Sequence, residues 1–482
     1  MSHTFQQCTF AASLVLAPIL ALAPQAIAQS TAHVYVQVGG EAGAVYGYSA
    51  SSTGQLSPIS GSPYKLGTEI IGSNKSQFFT LGHTLLHSYA VGSDGAIQSQ
   101  QSQIPVFDYS GSSCGNPQTG AGGAVLDHTG KYIYVMLENG SNSCAAYQSY
   151  IINSDGSFNF DGDTQLNWDT NGSDAGLPSI LGNETFAYSD YAYLDAGRTL
   201  IGFQRQSSGT LELMQFNETD PNTNGAGFPD TRFPDASPTG NYVVNQLNPD
   251  ASPPTYLVSY TVDSQGNLST TNTLSNAPIT SFTNPHTTFS PSGNLFVAYA
   301  DGGSEFQCCT SGIEIYNFNG ANPLTLYKKL LTGTPIDDVA WDSSNHLYAI
   351  SYATSKLYVF TVTSTSVTQD TSISIGSPYK LVVVSQSGSG STCAAPTSNG
   401  INVCSPAENA TVSSPVAINA AAYISGGIYR FELWNGSTKL LSEDNGTMDS
   451  SVSLAAGTYK LTFVARNTAG NHYYATRDIT VK

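Results

Sequence analysis

The hexapeptide GSPYKL stands at residues 61–66 and again at 376–381. Two identical copies 315 positions apart call for a structural cause, and self-similarity elsewhere in the chain supplies it. An aromatic residue, a turn residue six positions on and an apolar residue two beyond that recur as Tyr48-Gly54-Leu56, Tyr89-Gly95-Ile97, Tyr150-Gly156-Phe158, Phe203-Gly209-Leu211 and Tyr260-Gly266-Leu268. Degenerate copies follow at Tyr316-Asn322-Leu324 and Phe360-Ser366-Thr368, giving a mean spacing of 52 residues between turn positions. Each copy reads as a β-hairpin. The aromatic packs inward, glycine takes the positive φ of a tight turn, and the apolar residue starts the returning strand.

A second phrase, a small residue, then usually Gly, then an alternating apolar run, precedes most of these hairpins. It reads TGKYIYV at 129–135, AGRTLIG at 196–202, TGNYVVN at 239–245, SGNLFVA at 292–298 and SNHLYAI at 344–350. Period-two alternation between turn signals means strands, and about four strands per roughly 50 residues is a propeller blade. Unrelated hairpins in a sandwich would not keep one phrase in fixed order seven times. GSPYKL then falls between the outer strand of one unit and the inner strand of the next, after unit one and again after unit seven. The segment behind the second copy, VVVSQ at 382–386, has no downstream blade of its own and is predicted to pair with HVYVQV at 33–38, closing the ring without exposed edges.

The predicted fold class is all-β, a seven-bladed propeller over 29–386, followed by a Gly/Ser linker at 387–400 and a small immunoglobulin-like sandwich over 401–482. The sandwich is read from alternating runs at 413–423, 428–441 and 456–471. Residues 1–28 read as an export signal, with an apolar run from Phe10 to Ala23 ahead of AIA; Pro18 and Pro24 interrupt it, which argues against a membrane anchor. Nothing later is long and apolar enough to span a bilayer, so the protein is expected to be secreted. The six cysteines after Cys8 suit an oxidising compartment, with Cys114–Cys144 and Cys393–Cys404 as expected bridges. The neighbours Cys308 and Cys309 are left as a reduced, vicinally bridged or metal-binding pair.

Charge is sparse and one-sided. The chain has 16 Lys+Arg against 34 Asp+Glu; six of each fall after residue 400, leaving 10 against 28 in the larger part. Such a surface repels phosphate backbones and acidic headgroups, which excludes nucleic acid and anionic membrane as main partners. DTNGSD at 169–174 resembles the start of a calcium loop but has no glutamate at the twelfth position, so it reads as a turn and no metal or cofactor is expected. No G-x-S-x-G elbow, H-E-x-x-H pair or phosphate loop is present.

The phrase order and the GSPY connector resemble the secreted seven-bladed propellers of the lactonase family, related to 6-phosphogluconolactonase. That resemblance covers roughly residues 30–386. It implies a polar central channel of Arg, His and Glu, with a signature of Arg-His, a short strand, Gly-Lys and then Asn-Glu-Leu. The matching stretch here is RFPDASPTGNYVVNQL, 232–247: Arg232 matches, Phe233 replaces the histidine and Gln246 the glutamate, while the next blade keeps His286. A glutamine can orient a substrate but offers no proton-accepting carboxylate. If the channel descends from such a site, Gln246 should face the central cavity near Arg232, with Asn245 as the alternative inward group. Aligning blades on the glycine phrase puts Lys75, Asp190, His286 and Asp338 level at the start of inner strands, with Arg232 one residue off. This ring either binds a polar or acidic ligand or merely solvates a tunnel. The expected function is an exported binding or scaffold protein holding a small polar molecule, glycan or protein partner at the channel; the alternative is a lactonase-type hydrolase acting on a sugar lactone.

Overall fold

The computed structural model describes residues 30–40, 43–74, 76–106, 120–139, 144–166, 173–193, 197–219, 230–248, 254–282, 285–300, 311–386, 393, 395–412, 416–443, 446–452, 454–467 and 469–482. Among these, seven antiparallel sheets of four or five strands precede two sheets near the C-terminus. The innermost strands of blades 2 to 7 are Glu69–Ser73, Gly120–Leu126, the pair Ser173–Ala175 and Ser179–Ile180, Asp230–Ala236, His286–Phe289 and Asp338–Trp341. Blade 1 is shared between the two ends of the ring. Its inner strand Pro378–Ser385 pairs antiparallel with Ser30–Val38 from Ala32↔Ser385 to Val38↔Pro378, as the closure argument predicted.

The repeated hexapeptide does two different things. In the first copy Tyr64–Lys65 forms a short extra strand on Ala44–Ser51, and Gly67 (φ 75°) ends it. In the second copy the chain runs straight on through Leu381 and Val382 as the closing strand. The copies meet at the closure, where Lys380 Nζ lies 2.8 Å from Glu69 Oε1, just past the first copy.

Each repeat glycine has a mechanical reason. Gly54, Gly95, Gly156, Gly209 and Gly266 all have φ between 70° and 103°, and each hairpin tip rests on the preceding blade. Their backbone carbonyls are fasteners. Tyr35, Tyr134 and Tyr188 donate from the second strand of one blade to the carbonyls of Gly95, Gly209 and Gly266 in the next, each at 2.7 Å. Ser88 donates to Gly156 at 2.5 Å. The degenerate hairpins lack the positive φ at Asn322 and Ser366.

Both faces of a blade are covered by its neighbours, so the apolar core is a ring of layers between blades. Val243 and Leu247 pack with Leu181 and Tyr188 of blade 4, whereas Val244 packs with Phe289 and Phe296 of blade 6. Burial of these alternating side chains is the main stabilising contribution. After the ring, Gly400–Ser405, Val416–Tyr423 and Thr447–Val452 form one sheet and Ala410–Val412, His472–Val481, Gly457–Arg466, Arg430–Asn435 and Thr438–Glu443 the other. Ile418, Phe431, Leu433, Met448 and Phe463 fill the space between them. The predicted Cys393–Cys404 disulfide is formed. Cys114, Cys308 and Cys309 lie outside the described residues, as do residues 1–28, where an export signal was expected, and the side chain of Cys144.

Candidate binding site at the inner ends of blades 5 to 7

His286 and Asp338 stand level, as the first residues of the inner strands of blades 6 and 7. His286 is exposed and stacks on Tyr299, its cross-strand partner, with ring centroids 5.4 Å apart; Phe233 of blade 5 lies 6.2 Å away on the same imidazole. Tyr299 Oη donates to Asp338 Oδ1 at 3.2 Å, and Asp338 Oδ2 accepts the backbone N–H of Leu381 at 2.9 Å. Burial raises the pKa of Asp338, while Lys380 and the Leu381 N–H pull it back. Burial opposes the charge on Lys380, but Glu69 and Asp338 outweigh it and raise that pKa. A continuous polar belt thus runs from blade 5 through blades 6 and 7 to the closing strand.

Asp235 was not singled out by sequence reasoning. The inner strand of blade 5 carries a register shift between Arg232 and Asp235, and within it Phe233 adopts φ 47°, a strained conformation for a side chain of that size. The bulge presents Asp235 to blade 6, where Thr287 hydrogen-bonds one carboxylate oxygen; Oδ2 is buried without a partner among the described residues. Burial pushes its pKa up to about 7. The signal available in the sequence was positional: Asp235 lies two residues before the Ser-Pro of the glycine phrase, within the family-like stretch. Lys380 was equally visible, as the lysine of the second hexapeptide.

Three expectations need correction. Gln246 does not face the central channel: it is buried between blades 5 and 6, and its Nε2 donates to the Pro285 carbonyl at 2.6 Å. The alternation of 242, 244 and 246 is right, but both faces of a second strand meet neighbouring blades. Asn245 is likewise buried, on the blade 4 side, so it is not the inward group either. Gln246 is the cross-strand partner of Arg232, whose side chain lies outside the described residues. Asp190 lies on the second strand of blade 4, Phe186–Tyr193, buried beside Gly176 rather than at the start of an inner strand. The cause is a misplaced phrase: AGRTLIG opens the third strand, Gly197–Arg205, so its glycine turn is one hairpin too late. Lys75 lies outside the described residues.

Among the described residues no group of three or more His, Cys, Asp or Glu is placed to hold a metal ion, and no helix is long and apolar enough to cross a membrane. A separate cleft of about 510 Å³ at the rim of blades 5 and 6 is lined by Tyr242, Phe318, Asn294 and Asn322.

Comparison with known proteins agrees with this architecture. Residues 400–474 match the family model for a bacterial Ig domain. A search of curated proteins returns no match. Among solved structures, a Bacteroides uniformis protein provisionally named a 6-phosphogluconolactonase is similar with a TM-score of 0.52 at 14% identity, over 74% of this chain and 100% of its own. A Bacteroides fragilis protein of the same provisional name gives 0.52 at 13%, over 74% and 99%. At such identities the likeness speaks to fold. The chain has the seven-bladed propeller fold of 6-phosphogluconolactonase-like proteins, with a bacterial Ig domain at its C-terminal end.

Proposed function

We propose that the propeller is an exported binding module that holds a small polar molecule at the inner ends of blades 5 to 7, with the Ig domain as spacer. One observation carries this reading: Asp235 is held on a strained bulge with Oδ2 buried and unpartnered, an arrangement that costs stability unless something else completes it. The export segment read at 1–28 and the Cys393–Cys404 bridge support a destination outside the cytoplasm. The test is calorimetric titration of purified protein with a panel of sugars, sugar lactones, amines and carboxylates. Saturable binding abolished by Asp235→Asn supports the proposal; binding insensitive to that change argues against this site.

A second reading, hydrolysis of a sugar lactone, is favoured by the same carboxylate. Gln246 cannot accept a proton, but Asp235 has a pKa raised by burial to about 7 and a buried oxygen with no partner among the described residues, which suits a general base. In that step water attacks the lactone carbonyl and gives its proton to Asp235. The ring C–O bond then breaks, and the departing alkoxide takes a proton to leave the hydroxy acid. Lactone turnover that disappears in Asp235→Asn but survives Gln246→Met would replace the binding reading with this one.

A further inference from the structure

Asp235 Oδ2 and Gln246 Oε1 are both buried acceptors without a donor among the described residues. They belong to adjacent strands of blade 5. Asp235 is opposite Val244, so Gln246 lies two positions along on the same face, which packs on blade 6. Gln246 has its amide nitrogen committed to the Pro285 carbonyl, which fixes Oε1 as the free end. Two acceptors at diagonal positions on one sheet face are within reach of a shared group.

Charge decides between kinds of donor. Asp338, the other belt carboxylate, is compensated by the Tyr299 hydroxyl, the Leu381 N–H and nearby Lys380. Lys380 is itself paired with Glu69. Among the described residues Asp235 has the Thr287 hydroxyl as its partner, and its charge adds to the field of Asp338 at Tyr299. A buried carboxylate with one neutral partner is completed best by a positive donor. The excess of acid over base in the propeller favours entry of a cation and disfavours a phosphorylated ligand.

Resting on the binding reading above, we propose that the occupant of this site is a small primary ammonium compound, its N–H groups shared between Asp235 Oδ2 and Gln246 Oε1, with its carbon chain toward the ring stack of Phe233, His286 and Tyr299. A quaternary ammonium has the charge without the donors; a polyol has donors without the charge. Each lacks one of the two properties the acceptors require.

The test titrates the full chain at pH 8 in physiological salt with n-butylammonium, tetramethylammonium, sorbitol and gluconolactone. Butylammonium is expected to bind, and Asp235→Asn to weaken it roughly tenfold or more. Gln246→Met is expected to weaken it less, since the uncharged acceptor contributes less. A second measurement needs no variant: near pH 7, where Asp235 is about half protonated, butylammonium binding should release about half a proton, seen as a dependence of the heat on buffer ionisation. Among the described residues the titratable group that feels Asp235 is Tyr299, which donates to Asp338 and stacks on His286, and the Tyr299 proton stays on, because burial and Asp338 raise its pKa well above neutrality; Arg232, three residues earlier on the same inner strand, has its side chain outside the described residues. Tetramethylammonium binding as tightly as butylammonium would overturn the donor requirement. Sorbitol or gluconolactone binding in place of butylammonium would overturn the cation and leave the binding reading standing. Failure of every probe to bind would overturn both.

Discussion

Asp235→Asn is expected to stabilise the ligand-free protein, and to do so only where the carboxylate would be ionised. The pKa rises from about 3.9 in an unfolded chain to about 7 in the fold. Between those values the native state holds a proton that the unfolded chain has released, so wild-type stability falls as pH rises through roughly 4 to 7. Three units at about 1.36 kcal/mol each set an upper bound near 4 kcal/mol; partial solvent access to the side chain brings the expectation to about 2–4 kcal/mol. Asparagine keeps the acceptor for Thr287 and cannot ionise. Urea unfolding of both proteins at intervals from pH 4 to pH 8, followed by circular dichroism, gives the difference directly. Near pH 4 the curves should nearly coincide, and by pH 8 the variant should be the more stable by that amount. A difference that stays constant across the range would refute the assignment of a buried, uncompensated charge to this position.

Gly209→Ala places a methyl group against the Tyr132 ring at φ 103°, while Gly333→Ala, at φ 81°, meets nothing within 4 Å. Backbone strain alone is about 1–2 kcal/mol, and displacing a packed ring adds about 1–3, so Gly209→Ala should lower the urea midpoint well beyond Gly333→Ala; equal effects would show that the hairpin tip does not fasten the blades. Gln246→Glu removes the donor to the Pro285 carbonyl and buries a second carboxylate, so it should destabilise by about 2–3 kcal/mol at pH 8; unchanged stability would mean that the buried amide contact is not made. Burial opposes the charge of His346, but Asp342, whose Oδ2 lies 2.8 Å from Nδ1, raises the pKa. That contribution is present below about pH 6.5 and lost as pH rises through the folded value, so His346→Gln should cost about 1 kcal/mol at pH 6 and less at pH 9; a larger loss at pH 9 would reverse the reasoning.

The sequence by itself determined the all-β class, the seven units, the order of strands within most of them and the closure of the ring by VVVSQ on HVYVQV. These are legible because they rest on short-range rules: alternation with period two, and glycine where a tight turn needs positive φ. The same rules misled where turns resemble one another. A blade has three hairpins with similar chemistry, so Gly197, which opens the third strand, could be mistaken for the earlier turn held by Gly130 or Gly240, and Asp190 moved with it. GSPYKL shows the limit most directly: six identical residues form an edge strand in one place and the closing strand in the other, because the first copy runs into Gly67 and the second into Val382. Which side chains meet was decided only by the ring. Alternation sorts residues onto two faces, but in a propeller both faces are covered by other blades, so it could not tell that Gln246 is buried between blades. Nor could it show that a bulge at Phe233 turns Asp235 toward Thr287, or that Lys380 crosses the closure to Glu69. Those contacts join residues tens to hundreds of positions apart, and the packing of one blade on the next brings them together.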